Sequence, residues 1–335
     1  MKKIINQPAA VPEETIEGFI RAYADDFEKV EGVKGIRVRT PKDKVALVIG
    51  GGSGHEPMFA MFVGENLADA SANGNIFASP DPNTIVQTVR SVERGKGVLL
   101  IYGNYAGDNL NFDMAAEILE DFGIESRTVR VWDDVASAPK ERITDRRGIA
   151  GDVFVLKIAG AATAAGLSLE EAYRVAVKAR DNTFSLGVAL SGGTIPGEEH
   201  PAFTLPDGEI EFGMGVHGEP GVKRMKLIPA DQTTDFLLEK LLEDSGIHRG
   251  DSVCTLVNGL GSTTLSELCI INRRLAPLLE SRGIGIHDME IGSYITCQEM
   301  AGASITLLRL DEELQKYYDM PCWSPYYQKR AKKAE

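Results

Sequence analysis

The sequence predicts an α/β fold made of two α/β domains, whose mostly parallel or mixed sheets are covered by helices. Three observations carry this prediction. Short apolar runs alternate with amphipathic runs, 335 residues are enough for about two domains, and many of the 35 glycines cluster directly after the apolar runs. Strands that alternate with helices form mostly parallel sheets covered on both faces. Ligands in such sheets bind beyond the carboxyl ends of the strands, so the glycine-rich loops are where we expect a site.

The first half of the chain shows this alternation clearly. Residues 45–49 form a predicted buried strand that breaks into Gly50-Gly51-Gly52, and residues 97–102 form the next strand. A helix is predicted to follow Asp81, because aspartate favours the N-cap and Pro82 suits the first helical position. Further elements are predicted as a strand at 126–132, a helix at 154–165, and a helix that runs to Arg180 after a capping box at Ser168 and Glu171.

The second half repeats the alternation. Strands are predicted at 187–190, 252–257 and 304–308, and helices at 234–243 and 264–280. The helical run that ends near Asp181 gives way to a glycine-punctuated strand. We therefore expect an N-terminal domain at residues 1–183 and a C-terminal domain at residues 184–335.

Composition and charge exclude several classes of protein. A net charge of −13 argues against a nucleic-acid binder and against an anionic membrane as partner. No stretch reaches ~18 apolar residues, and the N-terminus lacks the apolar run of a signal peptide, so we expect a cytoplasmic protein. Cysteines with no C-x-x-C pair are expected to be buried free thiols; they are Cys254, Cys269, Cys297 and Cys322.

The first glycine-rich loop, residues 50–57, contains four glycines in five positions and then His55. Glycines permit positive φ and let the backbone touch a small polar ligand. The loop is neither a P-loop, because no G-x-x-x-x-G-K-[ST] occurs, nor a G-x-G-x-x-G motif with an acidic ribose partner. Taken alone, it fits a purely structural turn equally well.

The second loop, residues 103–111, leaves two interpretations of Asp108 open. One makes Asp108 the N-cap of a helix at 109–122, which is the commoner role of such an aspartate. The other makes it a general base that accepts a hydroxyl proton while that oxygen attacks phosphorus.

The third loop, residues 213–221, places His217 among glycines, where a ligand can reach the imidazole. Such a histidine serves as a base, a metal ligand or a nucleophile. A metal centre built from His55, His217, Asp108 and a glutamate is disfavoured because no H-E-x-x-H motif supports it. For residues 259–264, a Ser/Thr-capped turn is favoured over an anion site at a helix N-terminus.

These loops together resemble the substrate-binding subunit of dihydroxyacetone kinases, the DhaK family. The matching stretches run through nearly the whole chain in the family's order; they are residues 50–57, 104–112, 186–190, 213–221 and 300–307. The resemblance implies a two-domain α/β subunit that forms a homodimer and binds a short ketose, dihydroxyacetone, which is phosphorylated at a terminal hydroxyl.

The resemblance also implies roles for individual residues. The family's histidine in the third loop, here His217, holds the substrate ketone as a covalent hemiaminal, which excludes glycerol because glycerol has no carbonyl. His55 would hydrogen-bond the ketose, and Asp108 would act as the base on its terminal hydroxyl. Gly52 and Ser53 would add contacts to the substrate.

One position departs from the family, whose members commonly carry lysine immediately before the Asn-Tyr of the second loop. Gly103 occupies it here, which suggests either a four-carbon ketose such as erythrulose or a different anchoring of the three-carbon one. No metal and no cofactor are expected on this chain. A separate DhaL-type subunit is expected to bring the nucleotide, ADP or ATP with Mg²⁺. Two other hypotheses are a ketose-sensing coactivator and, less favoured, a metal-dependent hydrolase.

Overall fold

The computed structural model describes residues 2–215 and 217–331 and divides into two compact units, each with its own six-stranded sheet. The first unit comprises Lys2–Val131, Phe154–Ala179 and the chain from Leu314 onward, and the second comprises Trp132–Val153 and Arg180–Glu313. The predicted class, two α/β domains with mixed sheets covered by helices, is confirmed. Because both units are discontinuous in sequence, they do not coincide with a single cut at residues 183/184.

Strands and helices alternate along most of the described chain. The strands are β1 (Phe27–Val30), β2 (Gly35–Val38), β3 (Ala46–Ser53), β4 (Ala70–Ile76), β5 (Val98–Gly103), β6 (Ser126–Val131), β7 (Thr183–Ser191), β8 (Glu209–Phe212), β9 (Lys223–Lys226), β10 (Ser252–Gly259), β11 (Gly285–Gly292), β12 (Ala301–Leu310), β13 (Cys322–Trp323) and β14 (Gln328–Lys329). The α-helices are α1 (Val11–Ala22), α2 (Pro82–Val92), α3 (Ala106–Asp121), α4 (Asp152–Ala164), α5 (Leu169–Asp181), α6 (Ala230–Ser245), α7 (Leu265–Ser281) and α8 (Glu312–Tyr318).

The sheet of the first unit has the strand order β1-β2-β4-β3-β5-β6. β3 lies in its interior and runs parallel to both β4 and β5, and β5 runs parallel to β6. β1 and β2 extend the sheet in antiparallel fashion. The carboxyl ends of β3 and β5 therefore meet at the same edge, which is where the predicted loops begin.

The sheet of the second unit, in the order β11-β10-β12-β7-β8-β9, is mainly antiparallel, contrary to the expectation of mostly parallel strands. Only β10 and β11, which α7 connects, are parallel among its described pairs. The antiparallel character arises partly because β8 and β9 form a hairpin at the sheet edge, a connection that a short loop can make only between antiparallel strands.

Local sequence signals account for several helix ends. The Asp81 side chain accepts a hydrogen bond from Thr84 N at 3.0 Å and caps α2, as predicted. The capping box before α5 is also present, because Glu171 accepts a bond from Ser168 N at 3.0 Å. Thr264 and Glu267 form a third capping box at the start of α7, which confirms the capped-turn interpretation of that loop.

One cysteine differs from expectation. Cys254, Cys297 and Cys322 are buried free thiols, whereas Cys269 is exposed. The buried face of α7 is made by Leu268 and residues at helical spacing from it, so the next position along the helix turns outward. Among the described residues, no helix has both the length and the apolar character needed to cross a membrane.

Candidate active site

The first loop begins inside β3, because the strand continues through Gly50, Gly51 and Gly52 to Ser53 instead of ending at residue 49. A methyl group at Gly50 would collide with the backbone oxygen of Ala72 on β4, and one at Gly51 with the Phe59 ring. These glycines are therefore needed for close packing. Within this loop the left-handed region is used at Gly54, whose φ is 100°.

Ser53 and His55 lie at the end of β3 and are both almost fully buried. The Ser53 hydroxyl donates to Gly74 O at 2.8 Å, and Phe77 N donates to Ser53 O at 2.9 Å. Phe77 has a φ of 54°, uncommon for a side chain of this size, and its ring centroid lies 5.1 Å from that of His55. Sequence reasoning missed Phe77, since nothing in its local sequence marks a phenylalanine for the left-handed region.

Asp108 follows β5 and lies in the first turn of α3, partly buried. The helix begins at Ala106, earlier than the predicted residue 109, and its N-cap is Tyr105. The N-cap interpretation of Asp108 is therefore wrong, because its backbone is already helical. Next to it, Asn109 Nδ2 donates to Asn104 Oδ1 at 2.8 Å, and Asn109 Oδ1 is buried without a hydrogen-bond partner in the described chain.

The first unit thus places four of the predicted residues at one sheet edge. Gly52 and Ser53 are the last residues of β3 and His55 follows it, whereas Asp108 lies in the helix that follows the adjacent parallel strand β5. This edge brings together backbone groups, an imidazole and a carboxylate, which are groups that can bind hydroxyls and accept a proton.

His217 lies in the second unit, in the long loop of the β8–β9 hairpin. Its side chain is 27% exposed, so a ligand can reach the ring. Glu219, two residues further on, contacts both the backbone and the ring of this histidine. Its Oε2 accepts a hydrogen bond from His217 N at 3.0 Å, and its Oε1 lies 3.2 Å from His217 Nδ1. Gly213 and Gly218, with φ of 72° and 88°, give the loop its turns.

A buried ion pair supports this loop from below. Arg147 NH2 donates to Asp134 Oδ2 at 2.8 Å and to Gly213 O at 3.0 Å, and its NH1 lies 3.7 Å from Glu219 Oε2. The Arg147 and Asp134 side chains are only 13% and 2% exposed. Sequence reasoning found neither residue, because both are distant from residues 213–221 in the chain.

The electrostatics of the loop keep Glu219 ionised. Burial by itself would raise the pKa of this carboxyl, but the hydrogen bond and charge of His217, together with Arg147, lower the pKa to about 2. Beneath it, burial raises the pKa of Asp134 to about 6, although Arg147 acts in the opposite direction. In the described chain, no group of three or more His, Cys, Asp or Glu side chains is arranged to hold a metal ion.

The fold and the loops are those of a two-unit α/β substrate-binding protein of the Dak1 class. The Dak1 domain model matches residues 17–326, and the chain belongs to this family. It is 43% identical to the dihydroxyacetone-binding subunit DhaK of PTS-dependent dihydroxyacetone kinase 2 from Listeria innocua, over 98% of this chain and 99% of that subunit. The predicted resemblance to DhaK subunits is thereby confirmed.

Two further relatives differ in their described roles. The chain is 42% identical over 98% of its length to an L-erythrulose kinase from Pectobacterium atrosepticum, of which it spans 56%. Among solved structures, the dihydroxyacetone kinase operon co-activator DhaQ superposes with a TM-score of 0.87 at 30% identity, covering 93% of this chain and 97% of that one.

Proposed function

We propose that this chain is the ketose-binding subunit of a dihydroxyacetone kinase. His217 captures the ketose as a covalent hemiaminal, and Asp108 is the base for transfer of a phosphoryl group from a separate DhaL-type subunit. The observation that carries the proposal is the 3.2 Å contact between His217 Nδ1 and Glu219 Oε1. An ionised carboxylate can only accept, so Nδ1 carries the proton and Nε2 keeps its lone pair as a nucleophile.

The capture step follows from that tautomer. Nε2 attacks the carbonyl carbon, a C–N bond forms, and the π electrons of the carbonyl move to its oxygen, which takes up a proton from water. Glu219 stabilises the positive charge that the ring acquires, and the Nδ1 proton passes by way of this carboxylate to the hydroxide left by that water, so that the neutral adduct forms with no net change in protons. Glycerol offers no carbonyl and is rejected by chemistry, whereas a pocket selecting by size discriminates poorly between near-isosteres.

The transfer step uses the residues of the first unit. Asp108 accepts the proton of the terminal hydroxyl as its oxygen attacks phosphorus, and His55 hydrogen-bonds the substrate. Gly52 and Ser53 contribute contacts at the end of β3. The nucleotide, with Mg²⁺, arrives on the DhaL-type partner, and the subunit acts as a homodimer in the cytoplasm. The match to 99% of a subunit named dihydroxyacetone-binding supports this division of labour.

The test follows the carbonyl carbon by NMR, using dihydroxyacetone labelled with ¹³C at that position. Capture converts a trigonal carbon to a tetrahedral one, and the new signal should be absent in His217→Ala. His248→Ala is a matched control, because His248 also pairs with a carboxylate, Asp251, at 3.0 Å, but is 77% exposed. A tetrahedral signal that persists in His217→Ala would refute covalent capture by this residue.

Transfer is tested separately, by mixing the chain with a DhaL-type subunit loaded with ATP and Mg²⁺. Asp108→Asn should retain the tetrahedral signal while phosphorylated ketose forms ~10²- to 10⁴-fold more slowly, the range for loss of a general base. Equal rates for Asp108→Asn and wild type would remove the assigned role of this carboxylate.

A four-carbon ketose is the second candidate substrate. Gly103 lacks the long cation expected at its position, and one relative is named an L-erythrulose kinase. In that case kcat/KM should be higher for erythrulose than for dihydroxyacetone, and Gly103→Lys should reverse the order. Turnover of dihydroxyacetone that equals or exceeds that of erythrulose in the wild type would reject this candidate.

A ketose-sensing coactivator is the alternative from another functional class, and the likeness to the co-activator DhaQ supports it. The presence of Asp108 in the first turn of α3 favours the kinase, since a sensor has no need of a base. Capture without any phosphoryl transfer from an active DhaL-type subunit would favour the sensor.

A further inference from the structure

An apolar stripe formed by side chains of α3 and by its C-cap residue, Phe122, has no role in the chemistry described so far. Its members project from one side of the helix at a spacing of four residues and are 63%, 45%, 37% and 51% exposed; they are Leu110, Met114, Ile118 and Phe122. Because an α-helix rises about 1.5 Å per residue, the stripe is about 18 Å long. Resting on the function proposed above, we propose that it is the surface on which the phosphoryl-donor subunit docks.

The stripe is additional to the face that anchors α3 in its unit. Phe112, Ala115 and Leu119 are fully buried and pack the helix against the core. A surface helix of a globular protein normally turns polar residues outward, opposite its buried face. A contiguous row of exposed aliphatic and aromatic side chains is typical of a protein–protein interface.

The position of the stripe on the helix that carries Asp108 indicates which partner binds there. Leu110 lies two residues after Asp108 in the same first turns of α3, and Met114 lies one turn further. Any subunit that delivers a phosphoryl group to a hydroxyl beside Asp108 has to approach this end of the helix. A donor subunit that covers the stripe would gain its binding energy on the same helix that carries Asp108.

Charge defines the chemistry of the partner. The helix carries Asp108, Asp113, Glu117, Glu120 and Asp121 but no lysine or arginine. Asp113 is paired with Arg130 at 2.6 Å, whereas Glu117 and Glu120 have no ion-pair partner within the described residues. The expected partner surface is therefore an apolar ridge flanked by lysine or arginine side chains.

The same charges argue against a second copy of this chain. In a two-fold dimer built on the stripe, each α3 would face an identical helix, and like charges would be brought together. Electrostatic repulsion between two acidic helices opposes that pairing, whereas a basic partner is attracted to both of them.

The experiment measures the affinity of a purified DhaL-type subunit, loaded with ADP and Mg²⁺, by titration calorimetry. Met114→Glu should raise Kd about tenfold or more, because a carboxylate then has to be buried in an apolar contact. Met114→Leu should bind like wild type. Leu265→Glu, the same kind of change at a 64% exposed leucine of the second unit, should also leave Kd unchanged.

Kinetics and salt dependence sharpen the test. In phosphoryl transfer, Met114→Glu should raise the KM for the DhaL-type subunit while kcat at saturating partner stays close to wild type. Glu117→Lys should weaken binding and reduce its dependence on ionic strength, since it removes one attractive charge from the rim.

The outcomes separate the docking inference from the proposed function. A wild-type chain that forms no tetrahedral ketose adduct refutes the proposed function and this inference with it. A wild-type chain that captures and transfers, with unchanged Kd in both Met114→Glu and Ile118→Glu, refutes docking alone. A stripe variant that is monomeric by light scattering but keeps its affinity for the DhaL-type subunit would show that the stripe binds a second copy of this chain. That result would also refute docking of the donor subunit on the stripe. If Met114→Glu no longer forms the ketose adduct, its affinity for the partner does not test docking alone. The affinity of Ile118→Glu, one turn further from Asp108, then decides whether the donor subunit docks on the stripe.

Discussion

At the scale of single residues, the reactivity of His217 is set by the groups that hold it. Glu219 accepts a hydrogen bond from the backbone N–H of His217, and its other carboxylate oxygen lies 3.2 Å from Nδ1 of the same histidine. Arg147 lies between Glu219 and the buried Asp134 and forms an ion pair with each. This arrangement fixes Nδ1 as the ring nitrogen that faces the carboxylate, and it limits the rotation of the ring. A histidine with the same loop position but no such carboxylate would divide its population between two tautomers.

Replacing this carboxylate should slow capture. In Glu219→Gln the rate of adduct formation should fall about 10- to 100-fold, since a hydrogen bond to a charged group contributes ~1.5–3 kcal/mol. Stopped-flow or NMR measurement of adduct formation checks this, with Glu199→Gln, an exposed glutamate of the same unit, as control. A Glu219→Gln variant that captures ketose at the wild-type rate would contradict the assigned tautomer control.

The lowered pKa of Glu219 also predicts a dependence of stability on pH. Because the folded-state pKa of about 2 lies below the ordinary value of 4.5, the stabilisation is complete above pH 4.5 and is lost as pH falls toward 2. The difference in free energy of unfolding between wild type and Glu219→Gln should therefore shrink over that range. Denaturant titrations at several pH values measure it, and a constant difference would contradict the shift.

The residues that could be found from the sequence lie in short sequence motifs, whereas the residues that were missed act through contacts between distant parts of the chain. His55, Asp108 and His217 stand in glycine-rich motifs, and the motifs together gave the family. Arg147 and Asp134 were missed because Arg147 bonds to Gly213 O across 66 residues of chain and Asp134 is linked to the loop only through Arg147, and contacts of that kind leave no local pattern. Asp108 was open to two interpretations because helix starts are uncertain by one or two residues in sequence.

At the scale of elements, the glycines of β3 show a second limit of sequence reasoning. They were interpreted as the end of a strand, whereas the strand continues to Ser53 and packs closely on β4. β4 itself, with the sequence Ala-Ser-Ala-Asn-Gly-Asn-Ile, lacks the β-branched run that predicts a strand. Without β4, the need for a residue lacking Cβ at Gly50 cannot be foreseen.

The packing of β3 on β4 predicts opposite effects for two glycine substitutions. Gly50→Ala should lower the free energy of unfolding by ~1–3 kcal/mol, because its methyl group meets the rigid backbone oxygen of Ala72. Gly18→Ala, in α1 with open space around it, should raise it by ~0.5–1 kcal/mol. Urea titrations test both, and a Gly50→Ala variant as stable as wild type would show that β3 can shift away from β4.

At the scale of the whole molecule, the proposed function assigns its two steps to residues of different units. In that proposal, capture belongs to His217 in the second unit and proton acceptance to Asp108 in the first. Two units of the α/β class could be predicted from the alternation of strands and helices, but the described chain contributes three segments to one unit and two to the other, and no single boundary separates them. Single substitutions should therefore separate the two steps without any need to separate the units.

This division predicts where a ketose should stabilise the chain. Hydrogen exchange of the β8–β9 hairpin, residues 209–226, should slow when dihydroxyacetone is added to wild type or Asp108→Asn, because both can form the adduct. A ligand at 100 times its Kd adds ~2.7 kcal/mol to the stability of the state that binds it, so protection should rise by up to ~100-fold wherever opening requires release of the ketose. His217→Ala should show much less protection, and glycerol none in any variant, since it has no carbonyl to capture. Equal protection by dihydroxyacetone in His217→Ala and wild type would mean that hydrogen bonds alone hold the ketose, and the covalent step would then have no part in selecting it.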